Sequence, residues 1–377
     1  MDADGEPAPG PVADYRPGDF LLAGPHTTVT ATGTAAVVAE SDPDELAARV
    51  TKYLVDTRAP LAVGALPFDP AAAAHIVVPT SVHRTGSVHP FQWDGPRWTP
   101  RPPSVTALPS PDGYRRAVAA AVSALRADDE LRKVVLARTL HLAFDESVRI
   151  DRLLGRLAET NPLGYTYAVP LPDGSTLVGA SPELLLSRRG PQVTLNPLAG
   201  SLPRGADEAT DRANAAALLA SRKDQGEHRV VVEAVVEGLR PFCRALSVPA
   251  EPSLVSTATM WHLSTVITGT VNDPDVSSLR LAAALHPTPA VCGTPTAAAR
   301  AAIGELEPFE RGFYSGLVGW CTAEGDGEWV VAIRSAEVSG NGMRLFSGAG
   351  IMPDSDPAAE LAETDAKFGT LLRALGV

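Results

Sequence analysis

Near the end of the sequence Glu360, Glu363 and Lys367 fall at i, i+3 and i+7 of a segment with helical periodicity, so they share one face. Carboxylates grouped this way suit a hard cation such as magnesium, which takes one or two of them and fills its shell with water and substrate oxygens. The same spacing also describes a solvated face held by Glu–Lys pairing. Glu227 and His228, in KDQGEHRVVVEAV, stand where a polar segment turns Val-rich, so Glu227 could point inward. Glu183 lies beside Leu184, Leu185 and Leu186 in GASPELLL. Burial there would raise its pKa and let it donate a proton near neutral pH. Lys133 opens KVVLAR, an apolar setting in which a lysine could act as a general base, and it is one of only four lysines against 28 arginines. Taken singly, Glu183 and Lys133 read more readily as edge-strand charges.

Two further features could bind an anion. EWVVAIRSAEV reads as one strand whose two-residue period puts Val330, Ala332, Arg334, Ala336 and Val338 on one face, leaving Arg334 on an apolar surface. A guanidinium so placed needs either a structural Asp or Glu or a carboxylate ligand that its planar fork fits. SGAGI, at 347–351, reads as a small-residue turn where backbone N–H groups could approach a ligand.

These residues must be positioned by a large fold. The chain has 377 residues and 45% hydrophobic content, enough for a substantial core. A formal charge of -12 argues against general affinity for nucleic acid or anionic membrane. The opening stretch MDADGEPAPGPVADYRPGDF has neither a basic start nor an apolar run, so it reads as no signal peptide, and no membrane-length apolar segment occurs. Cys243, Cys292 and Cys321 lack CxxC spacing and read as reduced core thiols of a cytoplasmic protein.

Up to about residue 110 the short runs FLLAG, TAAVVAE, LAVGALPF and HIVVP read as strands, with one helix, DPDELAARVTKYLVD, capped by Asp42 or Asp44. The Pro-rich WTPRPPSVTALPSPDG connects to a helix, YRRAVAAAVSALRAD, within the same fold. Strand RKVVLARTLHLAF, helix VRIDRLLGRLAETN, hairpin-linked strands around PDG, a long helix from about Asp211 to Leu239, two shorter helices and two strands joined by GDG follow. The last helix opens with Asp356 as cap and Pro357 at its first position. Hairpins mixed with helices make the chain α+β: a single large domain of antiparallel sheets packed as a sandwich and surrounded by helices.

KVVLAR, GASPELLL, NPLAGS, KDQGEH, HPTPAVCGTP, ERGFYSGLVGW, WVVAIRSAEV, FSGAGI and ELAETDAK occur in this order. As a set they resemble the chorismate-utilising enzymes: anthranilate synthase component I, aminodeoxychorismate synthase, isochorismate synthase and salicylate synthase. The resemblance covers roughly 110–377, the chorismate-binding catalytic region, with 1–109 a divergent N-terminal part of the same fold. It implies that Lys133 activates water for attack at ring carbon C2 and Glu183 protonates the departing C4 hydroxyl. It further implies that Glu227 and Glu363, with Glu360 acting through water, hold Mg2+ against the C1 carboxylate of chorismate. Arg334, Tyr314 and the N–H groups of Gly348 and Gly350 then cradle the enolpyruvyl carboxylate, and Lys367, a turn at Gly200 and Ser201, His262 and Ala290 complete the pocket.

Within the family, aminodeoxychorismate synthases resembling this chain carry a lysine nucleophile at the position of Ala199, so the covalent route is closed here. Ammonia-using members and salicylate synthases generally have threonine at the position of Ala290; the HPTPA form, with His286 and Pro289, is similar to isochorismate synthases. Tyr314, where siderophore-type isochorismate synthases often have phenylalanine, keeps a salicylate synthase as the alternative. Gln225 and Gly226 also depart from the commoner KDRHEH. A silent regulatory homologue would have lost an ionisable catalytic residue, and none is missing. The resemblance implies a monomeric cytoplasmic isomerase without an obligatory glutaminase, and leaves open whether its product feeds a siderophore, menaquinone or specialised metabolite.

Overall fold

A computed structural model describes residues 11–88, 98, 100–102, 104–127 and 130–377. The first ten residues of the opening stretch, Thr99 and Pro103 of the Pro-rich connection, and Asp128 at the end of the second predicted helix lie outside them. Phe20–Ala23 shows why so many strand segments are apolar throughout. Phe20 and Leu22 pack into the core between two sheets, while Leu21 and Ala23 pack against helices on the other side. Both faces are buried, so the alternation expected of a half-exposed strand disappears.

The larger sheet has ten strands. In spatial order they are Gly293–Thr294, Lys133–Ala143, Gly342–Ile351, Ser335–Ser339, Thr176–Ser181, Tyr165–Pro170, Phe20–Ala23, Thr28–Thr32 and Ser81–Thr85, with Ser104–Leu108 also pairing on Lys133–Ala143. A nine-stranded sheet runs Cys243–Ser247, Ile267–Val271, Gln192–Asn196, Leu184–Arg189, Gly327–Val331, Leu317–Cys321, Ala62–Leu66, His75–Val78 and Ala36–Val38. A small third sheet joins Leu198–Pro203, Met260–Ser264 and Ser253–Ser256. The ladders are antiparallel, including the long Lys133–Ala143/Gly342–Ile351 pair.

Eight helices are described: α1 (Pro43–Thr57), α2 (Pro111–Ala127), α3 (Ile150–Thr160), α4 (Glu208–Ala220), α5 (Arg222–Leu239), α6 (Ser278–Leu285), α7 (Thr296–Leu306) and α8 (Pro357–Leu375). α3 and α8 cover the outer face of the large sheet, and α1, α5 and α6 that of the nine-stranded sheet. Strands from before residue 110 take places in both large sheets. The architecture is therefore the expected α+β sandwich with helices outside. Asp42 and Asp356 cap α1 and α8 through their carboxylates, each followed by proline.

Four local expectations are corrected. The helix predicted over Asp211–Leu239 is two helices, because Ser221 leaves helical geometry (ψ 112°) and its hydroxyl caps α5 at Asp224 N–H. EWVVAIRSAEV is two strands in different sheets, with Ala332–Arg334 crossing between them. SGAGI is no turn but the last part of the strand Gly342–Ile351. Gly200 is not in a turn either: it has φ +74° at a register shift between Ala199 and Ser201, a bulge in the third sheet.

Candidate active site

The site lies where the chain changes sheets. One crossing, Pro182–Glu183, leaves the large sheet after Thr176–Ser181 and enters the nine-stranded sheet at Leu184. The other, Ala332–Arg334, makes the reverse passage. They are stitched together by Ala180 N–H to Arg334 O (3.1 Å) and Val331 N–H to Glu183 O (3.1 Å). At such a crossing the ladder opens, so Glu183 and Arg334 turn into the gap between sheets instead of into a packed face. Arg334 holds the left-handed conformation, φ +52°, rare for a side-chain-bearing residue and typical of functional positions.

Around this gap is a narrow cleft of about 70 Å³. Of the residues singled out in the sequence, Glu183, Gly200, Ser201, Glu227, His262, Ala290, Tyr314, Arg334, Gly348, Gly350, Glu363 and Lys367 line it. Lys133 and Glu360 do not; they lie behind the wall, 0% and 1% exposed. Lys133 reaches the cleft through Glu227, whose Oε1 is 2.8 Å from its Nζ but out of line for a hydrogen bond. That leaves Lys133 Nζ without an oriented acceptor.

Gly348 and Gly350 are required for close approach. A Cβ on Gly350 would lie 2.2 Å from Glu227 Oε1 and 2.8 Å from Lys133 Cε, and one on Gly348 would lie 2.9 Å from the Tyr314 hydroxyl. Tyr314 itself is stacked on Phe346, ring centroids 4.8 Å apart. Sequence reasoning did not single out Phe346, Ser315 or Ile333, which also line the cleft. Ser315 has φ +61°, and its N–H donates to Ala332 O (2.9 Å), tying the Tyr314 loop to the Arg334 crossing. Its SG dipeptide looks like any loop, so no local signal marks it. Gln225 and Gly226 fall outside the lining residues; Gln225 donates to Leu219 O at the end of α4.

Charge in the cleft is divided. Burial pushes the Glu183 carboxyl up to about 7, against the pull of one long hydrogen bond from Leu198 N–H (3.5 Å) and of Lys133, Arg334 and Lys367. Burial also lowers Arg334 to about 10, opposed by Glu363, Tyr314 and Glu183. Its Nη2 donates to His262 Nε2 at 3.2 Å, while its Nη1 is buried with no partner. Burial, then Arg334 and Lys367, hold His262 well below its ordinary value, so it is a neutral acceptor toward Arg334.

Three carboxylates each carry a lysine: Glu227 with Lys133, Glu360 with Lys223 at 2.8 Å, and Glu363 with Lys367 at 2.6 Å. Ser201 also donates to Glu363 (2.9 Å). Burial raises Glu363, but Lys367 and Ser201 outweigh it and hold the carboxyl low. Among the described residues no group of three or more His, Cys, Asp or Glu is arranged ready to hold a metal. Each of these carboxylates is instead paired with a lysine. The donor set nonetheless fits a hard cation, being all carboxylate oxygen, with Glu360 Oε2 buried and unpartnered.

With this geometry in view, comparison with known proteins is decisive. The family model described as "Chorismate binding enzyme" matches residues 96–376. The chain belongs to the chorismate-binding enzymes. This chorismate-binding enzyme is 48% identical over 379 residues to the isochorismate synthase DhbC of Bacillus subtilis strain 168, covering 97% of this chain and 95% of the relative. It is 40% identical to the isochorismate synthase EntC of Escherichia coli K12, covering 97% of both. The crystal structure of DhbC from Bacillus anthracis superposes with a TM-score of 0.92 at 43% identity, covering 97% and 98% of the two chains.

Proposed function

We propose that this chorismate-binding enzyme is an isochorismate synthase, interconverting chorismate and isochorismate by water addition at C2 with loss of the C4 hydroxyl. The observation that carries the reading is a buried carboxyl near neutrality, Glu183, in a cleft lined also by Glu227, the partner of Lys133, and by Ala199, a position that offers no amine for a covalent adduct. The full-length relatives named as isochorismate synthases support it.

In this mechanism Lys133 takes a proton from water as its oxygen bonds to C2. The ring double bonds relay the displacement, the C4–O bond breaks, and Glu183 gives its proton to the leaving hydroxyl. A poor leaving group needs the acid and a weak nucleophile needs the base. Arg334, with a free N–H, and Tyr314 would receive the enolpyruvyl carboxylate, with Lys367, His262, Ala290 and the backbone at Gly200, Ser201, Gly348 and Gly350 shaping the pocket. Glu227 and Glu363, with Glu360 acting through water, would hold magnesium, which when bound would supply positive charge for the C1 carboxylate. We further read residues 1–109 as a divergent N-terminal part of the same fold and 110–377 as the chorismate-binding catalytic region of a cytoplasmic enzyme working without a glutaminase. No described helix is long and apolar enough to cross a membrane.

The test is incubation of the purified protein with chorismate, with and without magnesium, and identification of products by chromatography and mass. A magnesium-dependent isomer of unchanged mass is expected. Salicylate with pyruvate would replace this reading by a salicylate synthase, the second reading that the Tyr314 hydroxyl in the cleft favours; no turnover would sink both.

A further inference from the structure

Lys223 has no part in the chemistry above, yet it is one of four lysines in the chain. It lies in the first turn of α5, and its Nζ donates to Glu360 Oε1 at 2.8 Å. Ser355 donates to the same oxygen at 2.6 Å, while Glu360 Oε2 has no partner. The three lysine–carboxylate pairs differ in how firmly the ammonium is held. The Lys133 side chain is 0% exposed. Lys367 is 15% exposed and also donates to Gly348 O at 2.9 Å. Lys223 is 36% exposed, and among the described residues Glu360 is its one acceptor. It alone of the three can swing its charge into solvent without leaving a buried ammonium behind.

We propose that Lys223 is the displaceable counter-cation of Glu360. It neutralises the buried carboxylate in the metal-free protein and yields its place when a divalent cation enters among Glu227, Glu360 and Glu363. Two cations beside one carboxylate repel, and the ion pair must break before the metal, through its water, gains that oxygen, so both effects set metal affinity low in the absence of substrate. Premature metal capture is thereby limited, and the flexible lysine stem makes the exchange local. The inference rests on reading these three glutamates as the metal-holding set.

The experiment is titration of the full-length, metal-stripped protein with Mn2+ without substrate, following free Mn2+ by electron paramagnetic resonance. Lys223→Gln keeps a polar side chain but removes the charge, and should bind Mn2+ about fivefold more tightly than wild type, the effect of losing one partly exposed ion pair. Lys223→Arg places a fork able to reach both Glu360 oxygens, including the unpartnered Oε2, and should bind more weakly than wild type. Melting in chelator gives a second readout: Lys223→Gln should melt below wild type and gain more from added Mn2+. If Lys223→Gln does not fold without metal, the arginine variant still decides. A flat or reversed order of affinities among glutamine, wild type and arginine overturns the proposal while leaving the metal site standing. Absence of Mn2+ binding in wild type and both variants overturns the metal reading, and this inference with it.

Discussion

Arg311 and Arg334 are 3% and 5% exposed and stand behind and beside Tyr314, but their donors have different fates. Arg311 is spent. Its Nε donates to Glu307 (2.9 Å), Nη1 to Val291 O (2.7 Å) and Nη2 to Val135 O (2.8 Å), with a second, short contact to Glu307. Glu307 in turn accepts from Ala137 N–H at 2.7 Å. This pair ties the Lys133 strand, the HPTPAV loop and the Tyr314 loop together. Burial would lower Arg311, but Glu307 outweighs it and the guanidinium is held above its ordinary value. Arg334 instead has one neutral acceptor, His262, and an orphan Nη1. A buried guanidinium with every nitrogen matched is a structural clamp; one with a nitrogen left unmatched is waiting for an anion.

That contrast makes opposite demands on two variants. Arg311→Met should lose about 3–5 kcal/mol of folding stability, because it strands Glu307 as an uncompensated buried carboxylate. Denaturant unfolding measures this, and the folded fraction should keep most of its turnover. Arg334→Gln should cost about 3–4 kcal/mol in kcat/KM, roughly 10²–10³-fold, with no loss of melting temperature, since an unmatched buried charge is removed. If Arg334→Gln melts as low as Arg311→Met, the two arginines do the same job and the distinction fails.

Glu183 extends the comparison to a buried acid. Unlike Glu307, it has no paired guanidinium, only the long bond from Leu198. Its carboxyl, near 7 when folded against an ordinary 4.5, binds its proton more tightly in the folded state. The stability contributed by that proton is fully present below about 4.5 and lost as pH rises through about 7. Glu183→Gln has no proton to lose. Its stability relative to wild type should therefore rise between those pH values and level off above, by at most on the order of 3 kcal/mol. Melting curves of both proteins across this range give the answer; a pH-independent difference would mean that Glu183 is already ionised and is no acid reservoir.

Much of this was legible in the sequence because the chemistry-bearing residues sit in short blocks whose order survives folding. Asp42 and Asp356 announce their helices, since a carboxylate followed by proline is a local signal. What could not be read was set by partners distant in the chain. Val330, Ala332 and Arg334 keep a strand's alternation straight through a change of sheet, because residues facing the inter-sheet gap remain inward on both sides. Ser221 breaks a helix where no proline marks the break. SGAGI looked like a turn because glycine usually serves backbone freedom; here it makes room for Glu227, Lys133 and Tyr314, which arrive from three other segments. The pairing of Lys223 with Glu360, 137 residues away, has no local trace.

The smallest expected effect concerns how Arg334 is aimed. His262 is neutral and accepts from Nη2, leaving Nη1 for the substrate, so the histidine should act through the arginine and not on the ring. Removing the acceptor in His262→Leu frees the guanidinium to turn, and should raise KM for chorismate about tenfold, the worth of one hydrogen bond to a charged group, with kcat within about threefold of wild type. Glutamine carries an acceptor at a similar reach, so His262→Gln should restore most of the loss. Because the imidazole stays neutral near and above pH 6.5, the pH profile of the glutamine variant should overlay that of wild type there. A fall in kcat at unchanged KM, or a limb of the profile missing from His262→Gln, would place His262 in proton transfer and remove the positioning role from this side of the cleft.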